Sequence, residues 1–287
     1  MESIRLKARA KINLGLDVLR KREDGYHDVR MVMQTIGIYD RIIITKIPED
    51  EIRIKSNLYF LPVNENNLMY KAAKILKDEC GYSGGVEIDL NKFIPVSAGL
   101  AGGSTDAAST LFGINKLFNL SLSTKELMEL GVRIGADVPY CVMRGTALAE
   151  GIGEKLTPLE PLPRTWILIA KPPINVSTKL VYESLDMNGV DKHPDIDGLL
   201  DAIKRKDIHG VCDCMGNVLE NVTVPIYPVI DSIKKDMLEH GAINAMMSGS
   251  GPTVFGIFPD EKTTLDCQAY LKRKGEARQV YITESFN

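Results

Sequence analysis

Along the first ninety residues, short apolar runs alternate with polar positions, the period of strands that turn one face inward. This period predicts strands at Ile4 to Ala8, Asn13 to Leu19, Met31 to Gly37, Arg41 to Ile47, Glu51 to Lys55 and Val86 to Leu90. Between the fifth and sixth, "NENNLMYKAAKILKDECG" places Leu68, Ala72, Ile75 and Leu76 at helical spacing, with Asn caps before them and Gly81 after.

The pattern then turns helical. "STDAASTLFGINKLF" predicts a second helix, and "STKELMELGVRIGAD" a third that opens with a Ser123-x-x-Glu126 capping box. Residues Glu150 to Pro163, "EGIGEKLTPLEPLP", carry three prolines and two glycines, and a lobe boundary is placed there, giving lobes 1–157 and 158–287. A β-hairpin crossing between lobes has the same signature. Beyond it come a strand at "TWILIAKP", helices near Asp195 to Lys206, Ile208 to Leu219 and Val229 to His240, a strand "PTVFGIF", a helix from Glu261 to Lys274 and a strand "RQVYIT". The fold class expected is α+β, without internal repeats.

Composition narrows the function. With 287 residues, 44% hydrophobic and 25% charged, the chain has the make-up of a folded globular protein. A net charge of -3, with the basic residues scattered, offers no stripe to follow a nucleic-acid backbone. Five cysteines without a CxxC pair argue against a disulfide framework. No run approaches the roughly 20 apolar residues of a membrane span, and the N-terminus lacks a signal-peptide core, so a cytoplasmic protein that binds no membrane is expected.

The candidate chemistry begins at "PVSAGLAGGSTDAAS", Pro95 to Ser109. A strand, a glycine-rich loop and a helix in that order suit anions, because the exposed amides and the dipole at a helix start favour phosphate. The loop is neither of the familiar phosphate motifs: the chain has no Gly-Lys dipeptide, and Gly99, Gly102 and Gly103 do not fit G-x-G-x-x-G. A tight turn packed under a helix is the plainer reading of the same residues.

Three other stretches accompany it. With Leu14, Leu16 and Val18 on one strand face, Lys11, Asn13, Gly15 and Asp17 share the other, which as a lone strand also fits a solvated sheet surface. "RIGADVPYC" holds Asp137 just before Val138-Pro139, where a carboxylate is either fixed for chemistry or caps a helix. "AMMSGSGPTVFGIF", Ala245 to Phe258, is a second Ser/Gly-rich loop, or a hairpin-like turn.

Together these stretches resemble the GHMP kinase superfamily, whose three motifs appear here in order from Ala10 to Gly256. "AKINLGLDVLRKREDGYH", "PVSAGLAGGSTDAA", "GADVPYC" and "SGSGPTVFG" are most similar to the branch that acts on 4-diphosphocytidyl-2-C-methyl-D-erythritol in the non-mevalonate isoprenoid pathway, and "DGYH" is the element that marks that branch. The resemblance implies a two-lobed fold, with a β-rich N-terminal lobe, an α/β C-terminal lobe and the active site in the cleft between them. It also implies ATP-dependent phosphorylation of the substrate's 2-hydroxyl.

By the same resemblance, Lys11 and Asp137 match the catalytic pair, with Asp137 beside the attacking hydroxyl and Lys11 countering phosphate charge. Asn13 matches a residue that bonds the methylerythritol hydroxyls. Tyr26 and His27 match the cytosine site, Tyr26 stacking on the base and His27 reading its edge, with Tyr182 the second side of the aromatic sandwich. Pro95, Val96, Ser97, Ala98, Gly99, Leu100, Ala101, Gly102, Gly103, Ser104 and Thr105 match the ATP phosphate loop, and Ser248, Gly249, Ser250 and Gly251 the third motif.

Two departures stand out: Ala101 where the family usually has glycine, and Thr105 where serine is common. Ala101 alters nucleotide affinity at most unless it has to adopt a positive φ. Lys92 reads either as a further phosphate contact or as a surface lysine. Magnesium is expected with ATP, because phosphate charge needs a divalent ion, and no protein ligand for it is legible. The partner expected is a small molecule carrying a cytidine diphosphate group, and the protein a monomer or homodimer. The competing readings are a kinase of another small alcohol, such as homoserine or a mevalonate derivative, which would need no cytosine pocket, and a silent nucleotide-binding regulator, which would be expected to lack Lys11 or Asp137.

Overall fold

The computed structural model describes residues 2–186, 190 and 192–287. The chain divides into two compact units, each built from separated stretches: Met1–Ala10, Ile38–Val96 and Ala101–Met143 form the first, and Lys11–Gly37, Ser97–Leu100 and Arg144–Asn287 the second. The strands expected as four short pieces are two long ones, Ser3–Lys21 and His27–Ile47. Nothing breaks them, since Gly37 takes no positive φ and its missing Cβ instead makes room for Thr283 Oγ1, 2.7 Å from where that atom would sit.

In the first unit, strand Gly85–Asn91 pairs antiparallel with Arg41 to Ile47 and parallel with strand Ile52–Ser56. Ile42, Ile44, Ile54, Ile88 and Leu90 turn inward there, meeting Leu76, Leu111 and Ile114 from the helices Leu68–Cys80 and Gly102–Leu117 in one buried core. The second helix lies close to its strands because Gly113 has no side chain, and a Cβ there would fall 2.6 Å from Ile44 and 2.7 Å from Leu6. Asn67 caps the first helix and left-handed Gly81 ends it, while the expected Ser123–Glu126 capping box opens helix Thr124–Val132.

In the second unit, Val29 to Gln34 pair with strand Thr146–Gly151, which forms a hairpin with Lys155–Pro158. The glycine- and proline-rich stretch read from sequence is this hairpin and its exit. An antiparallel four-stranded sheet follows, in the order Gln279–Glu284, Trp166–Lys171, Val254–Phe258, Asn244–Met247, with helices Val229–Glu239 and Glu261–Lys274 packed against it. The helix expected from Ile208 to Leu219 stops at Cys214, because Gly216 and Asn217 pair as a short parallel strand with Gly15 and Leu16. Among the described residues, no helix is long and apolar enough to cross a membrane.

Candidate active site

Strand periodicity places Lys11 and Asn13 on one face, and both are buried: Lys11 is 5% exposed and Asn13 is fully enclosed. A solvated sheet surface is therefore not what this strand presents. Lys11 Nζ donates to Asn13 Oδ1 at 2.7 Å, and Asn13 Nδ2 reaches Met31 Sδ at 3.5 Å. The ammonium and the amide hold each other in fixed rotamers, as suits groups that must meet a ligand without reorganising.

Two loops close on this strand within the same unit. Lys11 N donates to Leu100 O at 3.2 Å, and Ser248 Oγ donates to Gly99 O at 3.0 Å. Gly99 has φ +71°, and a Cβ there would stand 2.1 Å from the Ser248 carbonyl oxygen, so this position excludes any side chain. Gly249, at φ +57°, brings its backbone alongside, its Cβ position 3.3 Å from Gly99 O and 3.6 Å from Asn13 Oδ1. The Ser248–Gly251 turn is closed by Gly251 N to Ser248 O, and Ser250 shares a 2.8 Å hydroxyl contact with Thr178. Lys11, Asn13, Gly99, Leu100, Ser248 and Gly249 are thus neighbours, although the chain separates them by up to 238 positions.

The tight turn at Gly25, φ +85°, presents Tyr26 and His27. Arg22 pairs with Asp24 and Asp28 and Arg20 pairs with Asp28, bracing the turn. Tyr26 is 58% exposed, with its ring available to stack, whereas His27 is buried and its ring lies 5.3 Å from that of Tyr182, tilted by 41°. Burial, with Lys21 adding a like charge, lowers the His27 pKa and favours the neutral ring. A neutral imidazole offers one donor and one acceptor, the complement of a nucleobase edge.

In the first unit, Ala101 leads into helix Gly102–Leu117. The cap residue Ala101 makes no side-chain bond to the helix start, and no acidic residue lies in the first turn. The amides of the opening turn are left open to an anion. Ala101 does adopt the positive φ that would matter, at +54°, and Ser97 does so at +51°. Pro95, Ala98, Leu100 and Thr105 are buried, Val96 and Ser104 half-buried, and Ser97 and Gly103 exposed.

The glycines of this loop have different reasons. A Cβ on Gly102 would meet Lys92 Nζ at 2.9 Å and Ile94 at 3.0 Å, while one on Gly103 would only touch Leu68 at 3.5 Å. Protein packing demands Gly102, whereas on Gly103 only an outside ligand would press.

Lys92 is not a surface lysine. It is buried between two buried carboxylates, bonding Asp40 and, at 2.7 Å, Asp106. Burial works against its charge, but the carboxylates outweigh burial and hold the ammonium above its ordinary pKa. Burial pushes Asp106 well above the usual carboxylate range against the pull of Lys92, and neighbouring Asp40 adds to the push.

Asp137 is half-buried and stands immediately before helix Val138–Met143, its carbonyl accepting from Cys141 N at 3.1 Å. Pro139 sits in the first turn of that helix, where its missing N–H costs nothing. Gly131 lets the neighbouring helix approach, its Cβ position only 3.0 Å from Val138. Asp137 belongs to the first unit and Lys11 to the second.

Some residues that shape the site escaped sequence reasoning. Asn217 Nδ2 donates to both Met247 O and Gly249 O at 2.8 Å, and Thr223 Oγ1 reaches Ser250 O at 3.3 Å, so both support the third-motif turn. Neither sits in a motif, and periodicity put Asn217 inside a helix. Asp40 and Asp106 were equally silent, because single acidic residues in a strand and a helix carry no local signal.

Comparison with known proteins places the chain in a family. The model described as GHMP kinases N terminal domain matches residues 67–145, and that described as GHMP kinases C terminal matches residues 199–277. A protein of Lachnospira eligens named 4-diphosphocytidyl-2-C-methyl-D-erythritol kinase is 72% identical over 286 residues, covering 100% of this chain and 99% of the relative. One of the same name from Lachnoclostridium phytofermentans is 54% identical over 286 residues, covering 100% and 98%. The crystal structure of a 4-(cytidine 5'-diphospho)-2C-methyl-D-erythritol kinase superposes with a TM-score of 0.85 at 29% identity, covering 99% of this chain and 100% of that one. A homoserine kinase from Cytophaga hutchinsonii shares the fold at a TM-score of 0.80 and 20% identity, covering 99% and 95%.

Proposed function

The chain belongs to the GHMP kinase family, among its 4-diphosphocytidyl-2-C-methyl-D-erythritol kinases, and from that premise we propose how its residues carry the reaction. ATP and the alcohol react to give the phosphate monoester, ADP and a proton; the acceptor is the 2-hydroxyl of 4-diphosphocytidyl-2-C-methyl-D-erythritol. As that oxygen attacks the γ-phosphorus and the bond to ADP breaks, Asp137 takes the hydroxyl proton. Lys11 counters charge on the transferring group, and Asn13 fixes the methylerythritol hydroxyls.

The assembly of Lys11, Asn13, Gly99 and Ser248 in one buried neighbourhood is the observation that carries this reading. Phosphoryl transfer asks a protein chiefly for positioning and electrostatics, and these groups are held by one another before any ligand arrives. The uncapped amides of Gly102, Gly103 and Ser104 suit the ATP phosphates, and Tyr26, His27 and Tyr182 suit the cytosine. Val96, Ser97, Ala98 and the turn Ser248 to Gly251 complete the loop and its support. The two family models fall on either side of the lobe division we place between residues 157 and 158.

Among the described residues, no group of three His, Cys, Asp or Glu is gathered to hold a metal. Magnesium would enter with ATP, since this ion keeps several waters and binds mainly through substrate phosphates, and it would neutralise phosphate charge. An ATP-consuming catalyst of this kind acts in the cytoplasm, where ATP is supplied.

ATP consumption with magnesium tests the assignment, offering 4-diphosphocytidyl-methylerythritol beside homoserine, mevalonate and galactose, with product mass checked for one added phosphoryl group. Turnover confined to the cytidine substrate is expected. Turnover on another alcohol would retain the kinase and remove the cytosine site, and ATP binding without turnover on any of them would favour a regulator.

A further inference from the structure

Three buried ionisable side chains lie under the start of helix Gly102–Leu117, and the mechanism above uses none of them. Asp40 is fully buried in strand His27–Ile47, Lys92 follows strand Gly85–Asn91, and Asp106 is in the second turn of helix Gly102–Leu117. Asp40 Oδ1 accepts from Phe93 N at 2.5 Å and Ile94 N at 2.8 Å, and its other oxygen takes the Lys92 ammonium. Lys92 Nζ reaches onward to Asp106 Oδ2 at 2.7 Å and lies 2.9 Å from the Cβ position of Gly102. Asp106 Oδ1 is buried with no hydrogen-bond partner among the described residues.

Desolvating two carboxylates and an ammonium opposes folding, and an orphaned buried oxygen adds to that cost, so general stability is a poor reason for this cluster. Its geometry supplies a better one. The cluster ties the strands of the first unit to the opening turns of the helix whose amides meet the phosphates. A bare Gly102 is what lets the ammonium fit beneath that turn. With its Nζ hydrogen bonds directed to the two carboxyl groups, Lys92 sets the loop rather than binding its ligand.

We propose that Asp40, Lys92 and Asp106 are positioning residues for the nucleotide, fixing the height and angle of the helix start so that the amides of Gly102, Gly103 and Ser104 converge on the ATP phosphates. This rests on the kinase reading and adds to it residues that touch neither substrate. A direct Lys92–phosphate contact makes the opposite forecast for Asp106, because removing that carboxylate would free the ammonium and leave ATP binding equal or tighter.

The test compares wild type, Asp106→Asn, Lys92→Met and the double variant by KM for ATP, KM for the alcohol, kcat, and calorimetric Kd for magnesium ATP, with thermal unfolding as a check on folding. Loss of a hydrogen bond between charged groups is expected to raise KM and Kd for ATP roughly tenfold or more in each single variant, while kcat and the alcohol KM stay within about threefold. The double variant should be no worse than the poorer single, because the three groups act as one unit. Should Lys92→Met, which leaves two carboxylates unpaired, fail to fold, Asp106→Asn decides alone. A folded Asp106→Asn with unchanged or tighter ATP binding overturns the proposal, as does a fall in kcat with KM for ATP unmoved. A wild type that binds ATP but phosphorylates none of the alcohols defeats the kinase reading, yet the Kd values still decide the positioning role; a wild type that does not bind ATP overturns both.

Discussion

Ser248 Oγ donates to the carbonyl of Gly99 at 3.0 Å, while the carbonyl of Ser248 lies 2.1 Å from where a Gly99 side chain would begin. The loop at Gly99 and the turn at Ser248 therefore meet backbone against backbone, leaving no room between them. Gly99→Ala combines this clash with a positive φ, and it is expected to cost about 2–4 kcal/mol of stability. Chemical denaturation measures this; a loss under about 1 kcal/mol would mean the two loops separate readily.

Ala101 takes a left-handed conformation that glycine adopts without strain. Ala101→Gly should relieve about 1–2 kcal/mol of backbone strain and give back about 0.4–1 kcal/mol through the freer unfolded chain. The expected net is a gain of up to about 1.6 kcal/mol in the unfolding free energy. A clear loss would show that the surroundings favour the alanine methyl group.

Gly102 and Gly103 are adjacent but predicted to respond oppositely. Gly102→Ala drives a methyl into Lys92 and Ile94 and should lower stability by about 1–3 kcal/mol. Gly103→Ala meets only ordinary contact, so it should hold or raise stability by up to about 1 kcal/mol while raising KM for ATP. Thermal unfolding beside ATP kinetics separates them, and a Gly103→Ala enzyme with wild-type ATP kinetics would show that the phosphates do not approach that residue.

Asp137→Asn keeps the shape of the side chain and removes its charge and basicity. Turnover should fall by about two to four orders of magnitude, as when a positioned base is lost, with the unfolding midpoint nearly unchanged. Single-turnover kinetics would reveal it, and near-normal turnover would take Asp137 out of the chemistry.

His27 has a pKa lowered by burial and by Lys21, so the folded protein binds fewer protons at this ring than the unfolded chain does. Its contribution is fully present above the ordinary histidine value of about 6.5 and is lost as pH falls below that value, levelling once the folded ring is itself protonated. His27→Gln should flatten part of the decline in stability between neutral pH and mildly acid pH. Denaturation midpoints for both proteins across that range measure the slope, and identical slopes would mean that the ring titrates alike in both states.

Short-range order was legible from residues alone. The cap at Asn67, the capping box of Ser123 and Glu126 and the left-handed Gly81 act within a turn of their own position, and strand alternation needs only near neighbours. The order of strand Gly85–Asn91, glycine-rich loop and helix Gly102–Leu117 was legible for the same reason, since the three are consecutive. Other features depended on packing between distant segments: Ser248 against Gly99, 149 residues apart; Lys92 committed to Asp40 across 52 positions; and Asn217 drawn out of a predicted helix into a strand beside Leu16. A local pattern states that a lysine is charged or a glycine is small, but which neighbour takes the charge or fills the space depends on how the buried faces pack, and tertiary structure alone decided that here.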